Sequence, residues 1–94
     1  MEYNVTHNEK LSRFEAEIEG LISLVDYRRR DNVLMVTHTE VPPQLEGRGI
    51  AAALTKALLD YAQNNELKIR PICPYTRAYI QRHPEYQDLV ASIS

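Results

Sequence analysis

A chain of 94 residues with 44% hydrophobic and 26% charged side chains holds one core, which excludes a second domain, a large lid or an appended subdomain. Eleven basic residues against thirteen acidic ones give a formal charge of −2, and no nucleic-acid partner is expected from that balance, because a phosphate backbone requires a clustered basic surface. No run reaches the ~18 apolar residues of a membrane span, Met1 to Lys10 carries no signal-peptide core, and the lone Cys73 excludes an internal disulfide framework, so a cytoplasmic protein without membrane attachment is expected.

In chain order, Tyr3 to His7 is a weak candidate for an edge strand. From Arg13 the pattern alternates strictly, with Phe14, Ala16 and Ile18 on one side and charged residues on the other, so a half-exposed strand is predicted up to Glu19. Gly20 turns the chain. Leu21 to Arg28 is apolar on both faces and reads as a more central strand. Arg29 to Asn32 supplies turn residues, and the Arg28–Arg30 run reads as a solvated hairpin tip, with an anion-binding patch as the alternative. Val33 to Val41 has high β propensity, and counting by twos puts His38 and Glu40 on one face with Leu34 and Val36.

Pro42 and Pro43 stop that strand, because proline cannot donate to a sheet ladder. Ile50, Leu54, Ala57, Leu58 and Tyr61 then recur at helical spacing, and a helix is predicted through to about Asn65. Leu67 to Cys73 alternates again as a strand. A strand, a helix and a strand make a crossover, which sets the fourth and fifth strands parallel and adjacent. Tyr75 to His83 follows as a second helix, with Pro74 in its first turn and Pro84 closing it, and a short helical turn is expected around Asp88 to Val90. The fold class is therefore α+β: a mixed sheet, antiparallel through strands one to four and parallel between four and five, with one long and one short helix.

Two of the three glycines fall in Gln44-Leu45-Glu46-Gly47-Arg48-Gly49-Ile50, between the double proline and the start of the long helix. A helix N-terminus offers unpaired N–H groups and partial positive charge, and glycines before it let a phosphate approach without meeting a Cβ. Such a loop suits a phosphate or pyrophosphate, with Arg48 and Lys56 able to add attraction. The plainer alternative is that the glycines only shape a strand-to-helix turn. The spacing matches neither a P-loop nor the dinucleotide fingerprint, so a different phosphate-bearing ligand is implied.

Gln44-x-x-Gly47-x-Gly49 resembles the Gln/Arg-x-x-Gly-x-Gly/Ala pyrophosphate loop of the GNAT superfamily of acyl-CoA-dependent N-acetyltransferases. With His38-Thr-Glu-Val-Pro-Pro before it and Cys73-Pro-Tyr, Tyr79-Ile and His83-Pro-Glu-Tyr after it, the chain is similar to the minimal-length GNAT-like proteins from about Glu2 to Tyr86. The resemblance implies acetyl-CoA or coenzyme A in a cleft where the fourth and fifth strands splay apart. The pantetheine arm would pair with Thr39, Glu40 and Val41, and the pyrophosphate would meet the loop that Gln44 opens, at the amides of Leu45, Glu46, Gly47, Arg48, Gly49 and Ile50.

Acyl transfer from a thioester to an amine needs a neutral amine, donors for the developing oxyanion and a proton for the departing thiolate. His38 and Glu40 are a candidate base pair, the alternative being a hydrogen-bonded pair at the sheet surface. Cys73, ahead of a proline-started helix, is a candidate nucleophile for an acetyl-cysteine route with His38 as its base; the alternative is a buried apolar filler. Tyr79 resembles the superfamily tyrosine that protonates the cofactor sulfur, although the residues after it depart from the pattern of larger members, and Tyr75 is its substitute. His83 reads as a helix-end residue, His7 carries no argument, and no paired spacing indicates a metal.

The leading expectation is an acetyl-CoA-dependent N-acetyltransferase acting on a small amine or an exposed protein lysine, as a monomer or weak homodimer. The alternatives are a CoA-binding or acyl-sensing module with little catalysis, and a scaffold without ligand. Asn8 to Lys10 leaves no room for the helices from which larger relatives build an acceptor site, so an open acceptor side is expected.

Overall fold

A computed structural model describes residues 3–91. Glu2, where the resemblance begins, lies outside them, whereas the turn expected around Asp88 to Val90 lies within them. The first strand, β1, is Thr6–Asn8 and not Tyr3–His7, and Tyr3 and Val5 instead pack against the core. The alternating segment forms β2 (Arg13–Ile18). Glu19 and Gly20 then adopt positive φ, 55° and 75°, the pair of left-handed residues that lets a two-residue hairpin follow strand twist. This leads into β3 (Leu21–Arg30), and a second tight turn with Asp31 at φ 55° leads into β4 (Val33–Glu40).

The long helix α1 (Ile50–Asn64) crosses over to β5 (Lys68–Pro71), and α2 (Pro74–Arg82) follows. A 3-10 segment, Pro84–Leu89, is longer than the turn expected around Asp88, and after it the Ala91 N–H donates to the Ile69 carbonyl along the outer edge of β5. The five strands lie in the order β1-β2-β3-β4-β5, antiparallel except for the β4–β5 pair. β3 is thus the middle strand, as its apolar pattern predicts. Its second face is nevertheless open among the described residues, and Ile22 is 42% exposed.

One face of the sheet carries the core. Leu54, Leu58, Leu59 and Ala62 of α1 are fully buried in one cluster with Phe14, Ala16, Val25, Leu34, Val36 and Ile69. Burial of this apolar stripe is what holds the helix on the sheet, since a helix of this length is marginal alone.

The decisive local feature is in β4. Asp26 is opposite His38, but the next residue, Tyr27, is opposite Val36, so Thr37 is an extra residue in a β-bulge. Beyond a bulge the side-chain alternation is reversed. Thr39 therefore joins Val36 and Val25 on the helix-covered side, while His38 and Glu40 turn to the open face with Asp26. The expectation that His38 and Glu40 share a face with Leu34 and Val36 is corrected on this ground. The other edge of β4 changes at the same place. Its parallel pairing with β5 ends at Val36 and Pro71, where proline has no N–H for the ladder, and the N–H groups of Ile72 and Cys73 both turn back to the Val36 carbonyl. Among the described residues, Thr37 to Glu40 have no ladder partner on the β5 side, and the two strands part.

His7, which carries no argument in the sequence, is packed at the end of the sheet. Its ring stacks on Phe14 at 4.1 Å between centroids, meets Tyr61 edge-on at 4.4 Å, and its Nε2 shares a hydrogen bond of 2.6 Å with the Tyr27 hydroxyl. Burial lowers the His7 pKa, only partly opposed by the Glu9 carboxylate. The fold thus prefers neutral His7, and protons bind the unfolded chain first as pH falls. Stability should decline as pH drops from about 6.5 through the lower folded value. Thermal melts between pH 7.5 and 5 check this, with a shallower decline expected in His7→Phe.

Candidate active site

The opening between β4 and β5 continues into a groove of about 490 Å³. It is lined by Thr39, Glu40 and Val41 on one side, by Leu45, Glu46, Gly47 and Gly49 at the loop, and by Ile50, Ala51, Ala52 and Tyr75 along the helices. The loop has the backbone such a groove needs. Gly47 and Gly49 sit at φ 83° and 77°, which L side chains rarely adopt, and Gly49 is the N-cap of α1 with no side-chain cap. Among the described residues, the N–H groups of Gly47, Arg48 and Gly49 meet no protein acceptor. With the first amides of α1 they form a cluster of unpaired donors at the positive end of a 15-residue helix.

Of the residues the sequence singles out, Thr39, Glu40, Val41, Leu45, Glu46, Gly47, Gly49 and Ile50 line this groove together. Gln44 is exposed in the 3-10 turn Pro43–Leu45 and does not line it. The two cations expected to add attraction are engaged elsewhere: Arg48 pairs with Glu19 at 2.5 Å, and Lys56 pairs with Asp60 at 2.7 Å. His38 Nε2 lies 3.3 Å from Glu40 Oε1, with both side chains more than half exposed on the open face. Tyr79 stacks on His83 at 4.0 Å and lines a separate, smaller cleft with Ala52, Tyr75 and Arg82. Tyr75 is common to both clefts, so it is the substitute, not Tyr79, that borders the Thr39 groove.

Cys73 sits where β4 and β5 part and is the N-cap of α2. Only 6% of it is exposed, and its Sγ lies 3.5 Å from Thr39 Oγ1. Burial pushes the thiol up, but the Thr39 hydroxyl, the Thr76 and Tyr75 N–H groups and the Thr76 hydroxyl together outweigh it, holding the pKa below the ordinary thiol range. These are the second and third N–H groups of α2, the donors an N-cap atom satisfies. Sγ forms no cap hydrogen bond in its neutral form, so they serve the thiolate more than the thiol. Among the described residues, the fully enclosed Thr76 hydroxyl has no hydrogen-bond partner beside the neutral thiol. The partner of Cys73 is therefore Thr39, and not His38, which the bulge turns away. Thr76 was not legible as a site residue, since threonine in the first turn of a helix is common and only the fold brings its hydroxyl to a sulfur.

A mixed sheet that opens between parallel strands over a glycine loop at a helix N-terminus is the GNAT-like fold. The chain matches the model of the GCN5-related N-acetyltransferase family over residues 13–89. It is similar to Protein NATD1 of Gallus gallus, 33% identical over 84 residues that make up 85% of this chain and 76% of that protein, and to Protein NATD1 of Homo sapiens, 32% identical over 85% and 74%. The solution NMR structure of a GCN5-like protein from Staphylococcus aureus superposes with a TM-score of 0.74 at 25% identity, covering 98% of this chain and 91% of that one. This chain belongs to the GCN5-related N-acetyltransferase family, whose fold carries acyl transfer.

Proposed function

We propose that this chain binds acyl-CoA, with acetyl-CoA as the donor, and passes its acyl group to an amine, either a small molecule or an exposed protein lysine. The observation that carries the reading is one groove that, among the described residues, has two unsatisfied backbone surfaces: the β4 edge at Thr39 and Glu40 and the free N–H groups of Gly47 and Gly49. A ligand with an amide-bearing arm and a pyrophosphate fits both, because amides pair with a strand edge and anions with a helix N-terminus. A Cβ at Gly47 or Gly49 would meet nothing within 4 Å, so the loop faces open space. Thr39, Glu40 and Val41 would hold the arm, and Gly47, Gly49 and Ile50 the pyrophosphate.

The bound thioester supplies an activated acyl group. Cys73 Sγ, whose thiol is held below its ordinary range and which lies next to Thr39, would attack the carbonyl carbon of the bound thioester as the bond to the CoA sulfur breaks. Burial raises the Tyr75 hydroxyl, despite Arg82 nearby, so it stays protonated at neutral pH and can give its proton to the departing thiolate. A neutral amine then attacks the acyl carbon, the bond to Cys73 Sγ breaks to return the thiolate, and the amine's proton passes to the Tyr75 phenolate left by the first step. Direct transfer is the second reading, favoured by the exposed His38–Glu40 pair, which can accept a proton from an amine arriving at the open face. A CoA-binding module with little catalysis is the alternative if no amine is acylated.

Acetyl-CoA at a hundredfold excess over its Kd should stabilise the fold by about 2.7 kcal/mol, a rise of the order of 10 °C in Tm for a domain this size. Intact-mass measurement after incubation should find one acetyl group on the wild type and none on Cys73→Ala. Turnover that survives Cys73→Ala assigns direct transfer, and an unmoved Tm with acetyl-CoA and CoA overturns the reading.

A further inference from the structure

A Gly-x-Gly loop has a weakness as an anion cradle. The glycines that leave room for a phosphate also free the peptides between them to rotate, so their N–H groups have no fixed direction. In this chain the peptide after Arg48 is tied. The Tyr3 hydroxyl donates to the Arg48 carbonyl at 2.6 Å, from a position 45 residues away in sequence. The Tyr3 ring packs against the core, and Tyr3, Asn4, Val5 and Thr6 run beside Ala53 and Ala57 of α1, which explains why β1 begins only at Thr6.

The direction follows from peptide geometry. The bond between Arg48 and Gly49 is trans and planar, so its C=O and N–H point in opposite directions. With the carbonyl held on the Tyr3 side, the Gly49 N–H is turned the other way, and Gly49 lines the groove. The Arg48 side chain is drawn out to Glu19 in the β2–β3 turn, which leaves the backbone of the loop to face that space.

We propose that Tyr3 is a positioning residue for the pyrophosphate-binding loop: by capturing the Arg48 carbonyl it aims the Gly49 N–H into the groove. The proposal rests on the CoA reading above. Loss of one such hydrogen bond corresponds to about a two- to tenfold weaker complex.

Calorimetric titration of the full chain with CoA and with S-acetyl-pantetheine, which lacks the pyrophosphate, tests it in wild type and Tyr3→Phe. The expected result is a two- to tenfold weaker affinity for CoA in the variant with pantetheine affinity unchanged. Equal CoA affinities, or equal losses for both ligands, overturn it, since the first shows no role and the second a general loss of packing. Backbone chemical shifts separate this from failure of the CoA reading. If the wild type binds no CoA, that reading fails, and the tether stands or falls on whether the Arg48 carbonyl 13C and Gly49 amide 15N shifts move in Tyr3→Phe, as loss of a hydrogen bond to that carbonyl requires.

Discussion

Gly47→Asp is expected to weaken CoA binding some four- to two-hundredfold more than Gly47→Asn does. The pair is chosen because Asn and Asp are nearly the same size and both tolerate the left-handed backbone that φ 83° requires, so strain is similar in the two variants. Neither side chain meets protein, since a Cβ at Gly47 has nothing within 4 Å. The fold should survive both changes, and whatever they do to binding is done to the ligand.

The difference between the variants then reads the charge of what lies in the groove. Two negative charges roughly 5 Å apart repel by about 0.8 kcal/mol at the dielectric of water and about 3.3 kcal/mol at the effective value near a protein surface. At 1.4 kcal/mol per tenfold, the aspartate should bind CoA some four- to two-hundredfold less tightly than the asparagine, and added salt should narrow the gap. Kd values at two ionic strengths check this. Equal affinities would mean that no anion sits over Gly47, and the pyrophosphate assignment would fail. S-acetyl-pantetheine should be indifferent to the charge.

The elements that set up this loop were legible because each has a local cause. Prolines end β4, apolar spacing builds α1, and two glycines fall where a strand gives way to a helix. The Arg13–Ile18 alternation and the crossover to Lys68–Pro71 fix the sheet order by the same kind of reasoning. What alternation cannot reveal is an extra residue. Thr37 looks like any strand residue, yet it reverses every side chain after it and exchanges the places of His38 and Thr39. The pairing of two distant segments is equally hidden. Tyr3 on the Arg48 carbonyl, Glu19 on the Arg48 guanidinium and Thr76 near Cys73 arise from three-dimensional proximity, not from any spacing in the chain. Polar residues at the open face, such as His38 and Glu40, attract attention in a sequence more readily than the threonines that surround the sulfur.

Those threonines lead to the second prediction: Thr76→Val should make the protein more stable and its cysteine less reactive. Beside a neutral thiol the completely buried Thr76 hydroxyl has no hydrogen-bond partner among the described residues, a situation that costs roughly 1 to 3 kcal/mol relative to an apolar group of the same shape, whereas a thiolate would accept from it. Valine fills nearly the same volume, so stability should rise by about 1 kcal/mol or more, seen as a Tm several degrees higher for a domain of this size. A native side chain kept at that cost needs a compensating role, and its neighbour Cys73 supplies one. A hydrogen bond to a charged group is worth more than one to a neutral group, so the hydroxyl does most when the sulfur is a thiolate. Removing it should raise the thiol's pKa and cut the alkylation rate of Cys73 near neutral pH by about tenfold, with the rate recovering at higher pH. Thr39→Val should act in the same direction through the 3.5 Å contact.

Ser23 is the control. Its hydroxyl is also fully buried and unpaired, but it lies on β3 opposite Ala16. Ser23→Ala should therefore leave the alkylation profile of Cys73 where it is in the wild type. If Thr76→Val raises Tm and leaves that profile unmoved, Thr76 has no part in ionising the thiol, and the case for Cys73 as an acyl carrier loses one of its supports. If it shifts the profile as expected, the fold maintains a destabilising hydroxyl beside its only sulfur nucleophile, and an acyl group passing through Cys73 becomes the reading to test next by trapping the acylated protein at the pH where the two profiles differ most.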